Sequence, residues 1–150
     1  MKALPQYLSD LLHLRYVAGV RAKEGLSRGM FTFADVGGPE CGVPGCLKGW
    51  LKSTPEGLDV CKRLVLMDIA ALYRPVWEIG KGPFKSRYGS TYGIFSVLPH
   101  EDEMLRTEAE ELDYRLNWVD EEITRECIKQ GLCPEETPKA YEHSLEKEAA

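Results

Sequence analysis

The chain has no long apolar run. No stretch approaches the roughly 20 residues that a bilayer-spanning helix needs. The N-terminus, MKALPQYLSD, lacks both an apolar core and a small-residue cleavage site, so no secretory signal is expected. Histidine is scarce. The three, His13, His100 and His143, are scattered without partner spacing, which removes the usual basis for histidine-centred catalysis. There is no Cys-x-x-Cys pair, so a compact redox motif is absent. No central serine occupies Gly89-Ser90-Thr91-Tyr92-Gly93, so the segment is not a nucleophile elbow. The tract from Gly80 to Ser86 is similar to a phosphate loop, but Phe84 precedes Lys85 and Pro83 has no N–H to donate. No catalytic residues are assigned, and an enzyme is not expected.

What is present is an ordinary globular composition. Hydrophobic residues make up 43% and charged residues 29% of 150, which excludes a disordered or fibrous chain and suffices for one core. The five cysteines (Cys41, Cys46, Cys61, Cys127 and Cys133) form an odd set in a chain that needs no staples. That favours reduced thiols and a cytoplasmic setting. The net charge of −5 conceals a division. Residues 1–99 carry 13 basic and 8 acidic groups, whereas residues 100–150 carry 6 basic and 16 acidic ones.

Periodicity predicts a mainly α, single-domain protein with helices over about 4–24, 54–74 and 101–130. Leu4, Leu8, Leu11, Leu12 and Ala18 lie on or beside one face of the first, with Tyr7 and His13 at its margins. The stretch 26–45 is broken by glycine and proline, with a short helical piece over 46–52. Thr54 is placed to cap the second helix, Pro55 suits its first position, and Glu56 suits the positive end of the dipole. Pro75 is its expected stop. Residues 76–99 are rich in strand formers and glycine and read as a short β-hairpin or an aromatic loop. The third helix has an apolar seam at Leu105, Ala109, Leu112, Leu116, Val119, Ile123 and Cys127. This seam packs on the N-terminal helices or on a second copy, the latter giving a homodimer through 105–127. Thr137-Pro138 predicts a further helix to about Glu146, with 134–150 only loosely attached.

The segment Cys41-Gly42-Val43-Pro44-Gly45-Cys46-Leu47-Lys48-Gly49-Trp50 is a turn feeding a helix. It resembles a signature of short, mostly uncharacterised proteins of bacteriophages and bacteria: Cys-Gly-Thr, two variable residues, Cys, two variable residues, Gly-Trp. Cys41, Gly42, Cys46, Gly49 and Trp50 match; Val43 and Lys48 depart. Met30-Phe31 and Leu72-Tyr73-Arg74-Pro75 extend the similarity, which spans residues 4–75. The resemblance implies a phage or prophage origin and no particular activity. Physically, Cys41, Gly42, Cys46 and Trp50 read as a structural unit with a buried thiol pair. The alternative is a zinc site of Cys41 and Cys46 completed by Cys61 or by the pair Cys127 and Cys133, although four residues between Cys41 and Cys46 sit at the edge of the usual spacing. No cofactor is otherwise expected.

Two surfaces carry functional readings. In the third helix Asp102 with Arg106, Glu111 with Arg115, and Glu121 with Arg125 are spaced for weak surface pairs. Glu108, Glu110, Asp113, Asp120, Glu122 and Glu126 remain for a partner. An acidic helix steers toward a basic surface. The expected function is therefore a non-enzymatic phage-type accessory protein that binds and inhibits a host macromolecular complex. The alternative is nucleic-acid binding by Lys81, Lys85, Arg87, Tyr88 and Tyr92, where basic groups interleave with aromatics.

Overall fold

The computed structural model describes residues 4–23, 51, 54–66, 70–75, 91–94 and 108–149. These form helices α1 (Gln6–Lys23), α2 (Pro55–Leu66), α3 (Glu108–Lys129) and α4 (Glu136–Ala149). A 3-10 turn at Ala70–Leu72 leads into strand β1 (Tyr73–Pro75), which pairs antiparallel with β2 (Thr91–Gly93). The mainly α fold is as the periodicity predicts. Among the described residues no helix is long and apolar enough to cross a membrane.

The central element is α1, which packs against α2, α3 and α4. Every residue from Asp10 to Leu14 is buried, which a helix with only one covered face cannot achieve. This overturns the marginal placing of His13, which is 7% exposed. A helix wrapped on several sides shows weak amphipathic periodicity, so its sequence understates its burial.

The start of α2 follows its sequence signals. Thr54 Oγ1 accepts the Gly57 N–H at 3.0 Å, and the Thr54 carbonyl accepts the Leu58 N–H at 2.9 Å. Pro55 is the first helical residue. The helix is shorter than the expected 54–74, ending at Leu66, and Ala70–Pro75 form the turn and β1 instead. The aromatic segment is correspondingly reorganised. β2 lies within 76–99, but its partner is Tyr73–Pro75, with Arg74 opposite Tyr92. Pro75 costs no ladder bond at the edge of a two-stranded pair.

The seam on α3 forms as expected in its described part. Leu112, Leu116, Val119, Ile123 and Cys127 are at most 8% exposed. They are covered within the chain, chiefly through the packing of α3 on α1, so this part of the seam is not available for the expected homodimer. The helix ends where Gly131 adopts φ 71°. The Leu132 N–H then reaches the Cys127 carbonyl at 2.8 Å, and the Gly131 N–H reaches that of Ile128 at 3.1 Å, a Schellman closure. α4 starts at Glu136, ahead of the expected Thr137 cap, and accommodates Pro138 within its first turn. Leu132 and Tyr141 pack on the core, which attaches this C-terminal helix to α1.

Candidate functional site

The acidic helix α3 divides its charges in a way composition alone does not show. Asp120 accepts a hydrogen bond from Arg15 Nε of α1 at 2.8 Å. Glu121 accepts one from Arg74 of β1 at 2.7 Å. Glu122 is 4% exposed, accepts from the Tyr7 hydroxyl at 3.0 Å and pairs with Arg125. Its expected role as an exposed partner contact is therefore corrected. The expected Glu121–Arg125 pair is replaced by Glu121–Arg74 and Glu122–Arg125. Arg115, expected on the surface with Glu111, is 1% exposed and donates from Nη1 to the Ile94 carbonyl at 2.7 Å.

The reason lies in helical geometry. Residues 115, 118 and 122 form a stripe parallel to the apolar seam, and that stripe is covered as well. The Trp118 indole donates to the Ala71 carbonyl at 2.7 Å, and the Arg74 guanidinium sits 4.9 Å from the centre of its ring. Tyr114 meets Trp118 edge-on at 6.3 Å. One flank of α3 thus holds the β1–β2 pair and the other meets α1. Glu110 and Asp113 remain exposed, and Glu126 is half-buried. Glu108 lies in α3, but its side chain is outside the described residues.

A polar cluster that sequence reasoning missed lies where α1 meets α2 and α4. Asp10, 1% exposed, accepts from Arg63 Nε and Nη2, both at 2.9 Å, and from Gln6 Nε2 at 2.8 Å. One turn later, His13 Nδ1 lies 3.4 Å from the Tyr141 hydroxyl, while Nε2 has no partner. The signal available in the sequence was Asp10 and His13 set three apart inside a leucine-rich helix.

Burial holds the His13 pKa below its ordinary 6.5, an effect that Arg63 reinforces and that Glu56 and Asp10 oppose. Tyr141 is pushed up to about 12, first by burial and then by the charge of Glu56. Tyr7 is raised too, by burial and by Glu122. The unfolded chain takes up the His13 proton first as pH falls, so this contribution is intact above about pH 7 and declines as pH drops below the ordinary histidine range. Measured from pH 8 to about pH 5, the urea unfolding midpoint of wild type is expected to fall relative to that of His13→Leu as pH drops. Parallel curves would rule out a depressed His13.

Two clefts border these clusters. One, of about 300 Å³, lies between α1, α3 and α4 and is lined by Arg15, Tyr16, Asp120, Tyr141 and Glu142 among others. The second, of about 530 Å³, is lined by Tyr7, Glu122, Arg125, Glu126 and Lys129 among others. The second cleft contains the Tyr7–Glu122 hydrogen bond at 3.0 Å.

The remaining sequence candidates are not brought together. Cys41, Gly42, Cys46 and Trp50 lie outside the described residues, as do Lys81, Lys85, Arg87 and Tyr88. Tyr92 is placed by its backbone in β2. Cys61, the third ligand of the alternative zinc site, is buried on the core side of α2 at 2% exposure. Among the described residues no group of three or more potential ligands is poised for a metal. Comparison of the chain with protein-family models, curated proteins and solved structures finds no match.

Proposed function

We propose that this chain is a non-enzymatic binding protein whose C-terminal acidic surface engages the basic face of a host macromolecular complex and inhibits it. The observation that carries the reading is the division of charge on α3. Asp120, Glu121 and Glu122 neutralise the chain's own Arg15, Arg74 and Arg125, whereas Asp113 lies exposed on the same helix. Exposed Glu142, Glu146 and Glu148 on α4 add to the negative field. Such a surface steers association and selects partners by charge without catalytic groups. A phage-type accessory role is consistent with the cysteine-turn resemblance, and no cofactor is required.

Capture from a bacterial host extract tests the proposal. The wild-type chain is expected to retain a protein with a basic surface, with retention falling as salt rises. The double variant Glu110→Lys, Asp113→Lys is expected to lose that partner by about tenfold or more and to flatten the salt dependence. Both sites are exposed, and far-ultraviolet circular dichroism of the variant checks that it folds. Equal capture by both proteins would remove the reading. Retention of nucleic acid instead of protein would transfer the function to the basic segment 81–92.

A further inference from the structure

The cleft between α1, α3 and α4 has a composition that selects a ligand type. Tyr16 and Tyr141 supply aromatic walls, and Leu12, Val20 and Pro138 supply apolar ones. Of its charged residues, Arg15 is tied to Asp120 at 2.8 Å, whereas exposed Glu142 has no ion-pair partner among the described residues. The lining therefore carries one uncompensated negative charge. Gly19 contributes to this arrangement. A Cβ there would lie 3.1 Å from Arg15 Nη1, so the bare glycine leaves room for the guanidinium to lie along α1.

We infer that this cleft is a subsite for an alkylammonium group, the lysine side chain of a basic partner. The stem packs on the tyrosine and aliphatic walls while the charge faces Glu142 and the outer oxygen of Asp120. Aromatic faces attract cations electrostatically, and the attraction strengthens where water is excluded. A volume near 300 Å³ is at the small end for ligand pockets and suits one side chain rather than a cofactor. The Tyr141 pKa is raised first by burial and then by the charge of Glu56, which lies behind this wall. The assignment rests on the basic partner proposed above, for which it names one point of contact.

The test uses n-butylammonium as probe, followed by amide chemical shifts of the full chain. Saturable shifts centred on Tyr16, Val20, Tyr141 and Glu142 are expected, with a Kd on the order of 1 to 10 mM. Affinity should rise about fourfold for each methylene added from ethyl to butyl. Glu142→Lys should weaken binding by about tenfold or more. Glu110→Lys changes net charge equally but lies outside the cleft, and should leave affinity within about twofold. Shifts spread over all acidic surfaces, equal losses in the two variants, or equal binding of n-butanol would each overturn the subsite. A cleft inert to butylammonium, alongside partner capture that depends on Glu110 and Asp113, removes the subsite alone. Saturable butylammonium binding by a chain that captures no protein removes the partner reading alone.

Discussion

Replacing Gly57 by alanine is expected to lower stability by at least about 3 kcal/mol, at the severe end for a single methyl group. Gly57 is buried in the first turn of α2, where the chain at Leu51 passes directly over it. A Cβ would overlap the Leu51 carbonyl oxygen and lie 2.9 Å from the carbonyl carbon and 3.0 Å from Thr54 Oγ1. Neither neighbour can move cheaply. The first is backbone and the second is the capping oxygen, already held by the Gly57 N–H. Alanine would ordinarily be favoured over glycine inside a helix, so helix propensity predicts the opposite sign. A fall in Tm of roughly 10 °C is expected for a chain of this size. A Tm within about 2 °C of wild type would show that Leu51 does not cross there.

The second large effect concerns the Asp10–Arg63 pair. Removing one partner of a buried ion pair strands the other, and here the two partners are unequally buried. The Asp10 side chain is 1% exposed and that of Arg63 is 41% exposed. Arg63→Leu leaves a carboxylate inside the protein with Gln6 as its remaining hydrogen-bond donor among the described residues, and should cost about 2 to 3 kcal/mol. The value falls below that for a fully enclosed pair because water already screens Arg63. Asp10→Asn should cost less, since Arg63 can turn to solvent and the amide oxygen still accepts a hydrogen bond. Adding Asp10→Leu to Arg63→Leu should restore part of the loss, because an apolar pair carries no desolvation penalty. Denaturant unfolding of the two single variants and the double variant measures this coupling. Additive costs would mean that the two residues do not act as a pair.

The contrast between these residues shows what was readable beforehand. The Thr54 cap and the seam from Leu112 to Cys127 follow from local chemistry and from a 3.6-residue period, so the helices emerge from sequence. Arg115, Trp118 and Glu122 did not, because their burial comes from contacts with Ile94, Ala71 and Tyr7, remote in sequence. Charge alone assigned Glu122 to the surface, although a second covered stripe on α3 was consistent with the same spacing. His13 was misplaced for a related reason: a helix covered on several sides loses the periodic contrast that marks a margin. Tyr73–Pro75 are a strand and not helix because they pair with Thr91–Gly93, a long-range contact that overrides helical continuation. The division of acidic groups between internal pairs and exposed sites needed the positions of Arg15 and Arg74.

The β1–β2 pair has a further consequence as a closure of the chain. It joins the two ends of residues 76–90 at strand spacing, with Arg74, Ala71 and Ile94 fastened to a single helix. The entropy of bringing those ends together is thus met by contacts outside the connecting segment. Loop-closure entropy grows only logarithmically with length, by about 0.6 kcal/mol per doubling. By this closure term alone, a longer or shorter connection between the two strands changes stability little. Evolution can revise the sequence bearing Lys81, Lys85 and Arg87 while the described helices stay the same.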